Sequence, residues 1–262
     1  MKKTIRKFEI ILHIDRLAAR YFPPKIRSWF IPPYPYYSNK KQKYVCDGVI
    51  WNLNPNQLTQ HKILLGDGLD VVRCFKQYAL ASAGPAITVL DIGTNTGGVA
   101  LLLARELLGR GTGVVHAFEP QPQIFLRLSE QLELNPGLNP YVVPNNMGLG
   151  EKSGELELHV PDRSDGLSSF AREYTDEPKT SVLVPVSTVD DYVNQQKLSV
   201  GFIKIDVEGF TIQVLRGAEK MLLEQHPPLY CEMPPSGECA DYLQGIGYRL
   251  RESSAQDCMW TI

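Results

Sequence analysis

Two carboxylates frame a glycine-rich turn. Asp91 closes the apolar run Ile87–Leu90, and Gly93, Gly97 and Gly98 follow it directly. An apolar stretch with helical spacing comes next, and a second apolar run, Val114–Phe118, ends at Glu119. The order strand, glycine turn, helix presents free backbone N–H groups and a bare main chain to a bound molecule, because glycine has no side chain to hold it off. Asp91 stands at the carboxyl end of its strand, the edge at which open α/β sheets bind ligands. A carboxylate there can grip a ribose diol through two charge-assisted hydrogen bonds and can face a cationic group. This is chemistry for a nucleoside-bearing cofactor.

A second group of residues could act on an acceptor. In Ile203–Glu208 the charged residues Lys204, Asp206 and Glu208 alternate with Ile203, Ile205 and Val207. In a strand that spacing places the three charges on one side. Asp206 is the expected base or positioner for an acceptor hydroxyl, with Glu208 second. Lys204 would hold a carboxylate or orient the acceptor; the plainer alternative is that Lys204 and Asp206 simply pair while Glu208–Gly209 closes a turn. Glu232 ends the next apolar run and could bind acceptor hydroxyls. Asp206, Glu208 and Glu232 could instead hold Mg²⁺, since hard cations take oxygen ligands. Ser168 and Ser169, in a polar loop after Asp162, could close over the acceptor. Of the five histidines, only His159 is a base candidate, and none has metal spacing.

Spacing distinguishes among cofactors. A dinucleotide fingerprint would read G-x-G-x-x-G, with its acidic residue further on. The turn here reads G-T-N-T-G-G, with Asp91 ahead of it. That arrangement resembles the first motif of class I S-adenosylmethionine-dependent methyltransferases, with Glu119 at their second acidic position. The cofactor set is then Asp91, Gly93, Thr94, Asn95, Gly97, Glu119 and Pro120. Asn145 and Asn146 follow at the end of the third strand, where the adenine would lie.

Longer strings narrow the resemblance. VLDIGTNTGG at 89–98, AFEPQP at 117–122, NMGLGE at 146–151, STVDDYV at 187–193, FIKIDVEGFTIQVLRGAEKML at 202–222 and PLYCEM at 228–233 together resemble the FkbM-type family of these enzymes. The string KIDVEG is the most specific, and the match runs over roughly residues 45–262. The resemblance implies O-methyl transfer from S-adenosylmethionine to a hydroxyl of a sugar or natural-product scaffold. It calls for no metal, so none is assigned. Departures are Thr211 and Gly148, where the family usually has Glu and Ala, and Asp70 at an acidic position ahead of the first motif. The rivals are a nicotinamide-dependent oxidoreductase, whose glycine pattern Thr94, Asn95 and Thr96 do not supply, and a non-catalytic scaffold that binds S-adenosylmethionine.

The elements that must position these residues alternate strand and helix from residue 87 onward. The expected fold is a Rossmann-like, mostly parallel sheet with helices on both faces and a C-terminal antiparallel strand pair. Three parts are expected: a basic, Pro- and aromatic-rich arm over 1–43, a hairpin and helical subregion over 44–86, and the methyltransferase domain over 87–262. Asp47–Gly48 signals the hairpin turn. Single helices are expected over Leu69–Ser82 and Thr211–Glu224, and the proline density of 23–37 excludes a regular helix there.

Charge is unevenly spread. Residues 1–43 carry 11 of the 27 Lys and Arg and two of the 29 Asp and Glu, a net of +9, so the remainder carries −11. The overall balance of −2 gives no nucleic-acid signature. A basic amphipathic helix over 4–21 would pack on the body or a second copy of the chain, or dock on an anionic membrane surface or a partner protein. Its broken apolar part does not read as a signal peptide. Five cysteines without paired spacing suggest free thiols and a cytoplasmic setting.

Overall fold

Asp47 and Gly48 both adopt left-handed backbone conformations, with φ of 51° and 76°. That is the two-residue turn that matches the twist of paired strands. It joins β1 (Gln42–Cys46) to β2 (Val49–Leu53). The computed structural model describes residues 17–31, 33, 37, 39–81, 84, 86–161, 168–170, 179–254 and 256–262. The outer edge of β2 is met by a helix, α4, described below. Gln131 and Asn135, one helical turn apart, each exchange two hydrogen bonds with the β2 main chain, at Asn52 and Ile50. Side-chain amides thereby occupy an edge that would otherwise pair with another strand.

Helix α1 (Leu58–Leu65) and α2 (Leu69–Cys74) flank the Gly66–Gly68 turn. The expected single helix over Leu69–Ser82 is interrupted: α2 widens into a π-helical segment, Phe75–Leu80, which seats Phe75 against Phe202 at 5.4 Å between ring centres.

The core units follow as β3 (Thr88–Ile92), α3 (Gly98–Arg110), β4 (Val114–Phe118), α4 (Pro122–Leu134) and β5 (Val142–Asn145). Next come β6 (Gly148–Leu149), β7 (Gly154–Pro161) and β8 (Lys179–Ser187), which form a small sheet of their own. The chain then returns through α5 (Val189–Gln196), which Thr188 caps by accepting from the Asp191 N–H at 2.9 Å. It enters β9 (Val200–Ile205), α6 (Thr211–Arg216), α7 (Glu219–Gln225) and β10 (Leu229–Glu232). Helix α8 (Glu238–Gly245), β11 (Arg249–Ser253) and β12 (Asp257–Thr261) complete it.

The main sheet runs β11-β12-β10-β9-β3-β4-β5. β5, β4, β3, β9 and β10 are parallel; β12 pairs antiparallel with β10, and β11 with β12. This is the expected class I fold. From β3 the chain steps outward to β4 and β5, then crosses back to β9 and steps the other way. The reversal between β3 and β9 opens a crevice at their carboxyl ends.

Two further expectations are corrected. The helix over Thr211–Glu224 is two helices, α6 and α7, broken at Gly217. A Cβ on Gly217 would stand 1.9 Å from the Gly150 carbonyl oxygen, and the Gly217 carbonyl is taken by the Asp190 N–H at 2.9 Å. The chain bends there to let two backbones touch. In the arm, Pro24–Arg27 forms one helical turn, with Pro24 in the first-turn position where its missing N–H costs nothing. Arg27 is buried and grips Asp47 bidentately at 2.6 and 2.7 Å, so this part of the arm is bound to the hairpin turn. Residues 17–21 are helical; the rest of the helix expected over 4–21, and most of the polar loop after Asp162, lie outside the described residues. No helix among the described residues is long and apolar enough to cross a membrane.

Gly217→Ala should therefore lower stability by about 3 kcal/mol, the upper part of the range for overpacking, although its backbone angles suit alanine. Urea unfolding should show a lower midpoint at unchanged slope.

Candidate active site

β3 and β9 pair in a register that sets Asp91 beside Lys204. Both are buried, and the Lys204 Nζ lies 3.3 Å from Asp91 and 3.2 Å from Asp206. It also donates to the Gly93 carbonyl at 2.7 Å. Burial alone would lower its pKa, but the two carboxylates outweigh this and hold it above the ordinary lysine value. The other Asp91 oxygen accepts from Thr94 Oγ1 at 2.7 Å. Asp91 thus lies beneath the turn and fixes it from below.

The turn needs its first glycine for space as well as for its φ of 78°. A Cβ on Gly93 would fall 1.8 Å from the Asp206 carbonyl oxygen, because the Asp206 N–H donates to Ile92 at 3.0 Å and carries the chain past the end of β9 along β3. Gly97, with φ of 89°, starts α3 in the left-handed region. Asn95, also left-handed, donates its N–H to Glu119 at 3.1 Å, and Gln121 donates to the other Glu119 oxygen at 2.8 Å.

A cleft of about 1070 Å³, mouth included, opens over the turn. Gly93, Thr94, Asn95, Glu119 and Pro120 line it from the expected cofactor set, and Lys204, Asp206, Glu208, Glu232, Ser168 and Ser169 from the expected acceptor set. Asp91 and Gly97 support the turn without lining the cleft. Asn145 and Asn146 do not line it either. Their amides bind the main chain, Asn145 at Val143 and Asn146 at Glu119, and Asn145 Oδ1 accepts from Tyr192. Asn146 braces the β4–α4 loop, while Asn145 binds its own strand and β4. His159 is also displaced: it contacts Ser181 at 3.0 Å and lines a separate surface hollow.

The expectation for Lys204, Asp206 and Glu208 needs one correction. β9 ends at Ile205, so strand alternation does not carry Glu208; the turn through Gly209 brings it back to the cleft. There Asp206, Glu208 and Glu232 each offer an oxygen, all within 4.8 Å of one another. Three carboxylates so close do not all stay charged without protons or cations among them. The hydrogen bond to Asp206, with burial and the neighbouring charges, pushes Glu232 up to about 9. Burial opposes the Asp206 charge, but Lys204 and the Glu232 proton outweigh it and hold Asp206 below its ordinary range. Ser169 donates to the Glu208 carbonyl, and Ser168 Oγ is buried with no hydrogen bond among the described residues.

Sequence reading missed one wall. Thr59, Lys62 and Ile63 from α1, and Asp67 from the glycine turn after it, line the cleft. Asp67 thus lies nearer the cleft than Asp70, which is exposed beside Arg73. The G-D-G run at 66–68 was the available signal. Phe170 and Phe210, 5.0 Å apart, form a further apolar wall. They explain Gly148, where a Cβ would press on Phe170 at 2.7 Å.

The methyltransferase FkbM domain matches residues 91–250. The chain belongs to the FkbM methyltransferase family. A hexuronic acid methyltransferase, AglP, from Haloferax volcanii is 29% identical over 135 residues, and the chain spans about half the length of this relative, matched over half of its own. Among solved structures, methyltransferase FkbM from Methylobacillus flagellatus has a TM-score of 0.48 at 15% identity, covering 100% of this chain and 60% of that one. The N-terminal domain of human METTL16 has a TM-score of 0.47 at 11% identity, covering 82% of this chain and 75% of that one.

S-adenosylmethionine is the cofactor of this FkbM methyltransferase, and the cleft fits it. Asp67, Asp206 and Glu208 outweigh exposed Lys62 and the committed Lys204, so the wall is net acidic, as a sulfonium and an amino group require. Ile63, Val99 and Ile124 offer apolar contact.

Burial is the main cause that pushes Glu119 up to about 7, against the two N–H donors that favour its charge. The folded protein therefore keeps a proton that the unfolded chain releases near 4.5. Stability should fall as pH rises from about 4.5 to about 7, by up to about 3 kcal/mol. Glu119→Gln carries a fixed penalty for its misplaced amide, but unfolding in urea at about pH 5 and about pH 8 should show the decline smaller by about that amount, with the part due to the raised Glu232 remaining.

Proposed function

We propose that this chain is an O-methyltransferase acting on a hydroxyl of a small acceptor, a sugar or a natural-product scaffold. The observation that carries the reading is Asp206. Its carboxylate is fixed on one side by Lys204 at 3.2 Å, yet its side chain keeps 38% exposure toward the cleft. Glu232 supplies it with a proton to share, and Lys204 keeps it ionised. A hydroxyl presented there would donate its hydrogen bond to Asp206.

The bound cofactor supplies an electrophilic methyl group and leaves as S-adenosylhomocysteine. Glu119 would hold the ribose diol, and the Gly93–Thr96 turn would seat the amino-acid end above Asp91 and Lys204. Asp206 orients the acceptor oxygen and takes its proton as the new C–O bond forms. Much of the rate then comes from alignment, which a site with fixed carboxylates supplies. The name of the Haloferax relative supports a sugar as the acceptor class.

Two variants separate binding from turnover. Glu119→Ala should weaken S-adenosylhomocysteine binding by roughly 2–4 kcal/mol in isothermal titration. Asp206→Asn should keep that affinity within about twofold while turnover falls by about 10²–10⁴-fold. A wild-type chain that binds no S-adenosylmethionine would overturn the reading. One that binds it but forms no S-adenosylhomocysteine with any hydroxylated acceptor would favour a scaffold.

A further inference from the structure

Residues 17–31 of the arm have two faces. Ala18, Ala19 and Ile31 join the core of the body, and Pro24 lies against Gly66, the neighbour of the cleft residue Asp67. The other face is apolar yet open: Trp29 is 78% and Tyr21 64% exposed, and Leu17 and Phe30 are exposed as well. The Phe22 and Phe30 rings meet at 4.8 Å. That contact folds the segment back on itself and gathers the neighbouring Tyr21 and Trp29 into one patch. Single exposed apolar residues are ordinary on a surface, whereas a cluster of them marks a contact site. Cations flank the patch. Residues 17–43 hold six Lys and Arg and no Asp or Glu. Arg27 pairs with Asp47, and Lys41 with Glu130. Arg20, which stacks over Tyr21 at 5.2 Å, and Lys25 are exposed and make no ion pair among the described residues.

We propose that this face docks the enzyme on an anionic membrane surface, with Trp29, Tyr21 and Phe30 at the headgroup level and Arg20 and Lys25 against acidic lipids. Docking of this kind is independent of which acceptor is methylated. Trp and Tyr settle at a membrane–water interface because an apolar ring carries a polar N–H or O–H group. Lys and Arg within a Debye length of acidic headgroups add an attraction that salt weakens. The two contributions act together in peripheral binding. The charge of the whole chain orients the approach: residues 1–43 carry +9 and the remainder −11, so an anionic surface draws the arm and turns the body away. Pairing of the patch with its own copy about a two-fold axis would set cations against cations. Because Arg27 and the core residues bind the arm to the body, the exposed rings stand on a fixed support.

The chain carries its own reporter. Of its three tryptophans, Trp51 and Trp260 are buried and Trp29 is open, so a change in emission on adding vesicles reads this face. The full chain is titrated with vesicles of equal parts phosphatidylcholine and phosphatidylglycerol, and with phosphatidylcholine alone. With the mixed vesicles the emission should move to shorter wavelength and be quenched by brominated lipid. Partitioning into phosphatidylcholine alone should be at least about tenfold weaker. Raising salt from about 0.05 to about 0.5 M should weaken partitioning into the mixed vesicles by a similar factor. In sedimentation with the mixed vesicles, Arg20→Gln combined with Lys25→Gln should lose about tenfold, and Trp29→Ala several-fold. Both variants should keep the wild-type urea midpoint and affinity for S-adenosylhomocysteine, because these side chains are on the surface. Unshifted emission with the mixed vesicles would overturn the proposal, as would equal binding to both vesicle types or variants that partition like wild type. Emission that answers rising chain concentration or a single-stranded oligonucleotide, and not vesicles, would overturn it in favour of a second copy or a nucleic acid.

Discussion

The Lys204 ammonium is almost wholly removed from water, and the site is arranged around that fact. Two carboxylates and one carbonyl take the place of its hydration. These partners come from β3, from the glycine turn and from the end of β9, the three segments that meet where the sheet reverses direction. One buried charge therefore ties the crevice together. Removing it would strand Asp91, with no exposure at all, as an uncompensated charge. The pair also sets the polarity of the cleft floor, since the cation is neutralised from within and the remaining carboxylates face outward.

Close backbone approach is the second constraint. Gly93 lets the turn lie against the Asp206 carbonyl, and Gly217 lets α6 end against Gly150. The first contact brings the cofactor turn and the acceptor carboxylates within reach of each other. The second anchors the helix that follows those carboxylates. Around them the small β6–β7–β8 sheet contributes Leu158, and the segment next to it contributes Ser168–Phe170, so this insertion and α1 both wall the cleft. Charge is then distributed by proximity: Glu232 keeps its proton because Asp206 is beside it, and Asp206 stays ionised because Lys204 is.

Much of this was legible in the chain. The alternation of apolar runs and glycine breaks specified a parallel α/β sheet, and β4 begins and ends where its composition places it. The Asp47–Gly48 turn follows from local backbone chemistry and holds. Errors arose where a distant partner decided. The helix over Thr211–Glu224 has good local propensity throughout, yet a contact with Gly150 breaks it. Strand spacing placed Glu208 with Asp206, whereas a turn does so.

By itself the sequence determined the order of elements, the glycine turn with its flanking acids and the family, because these are properties of neighbours along the chain and of spacing. Tertiary structure alone decided that Lys204 pairs with Asp91 through the β3–β9 register, that Asp67 and Lys62 reach the cleft from a segment ahead of the first motif, and that Glu232 shares a proton with Asp206. Those depend on which strands lie side by side and on distances of a few ångströms between residues far apart in the chain. Electrostatic interaction in a cleft is set by such distances and by the exclusion of water, and neither is written in local spacing.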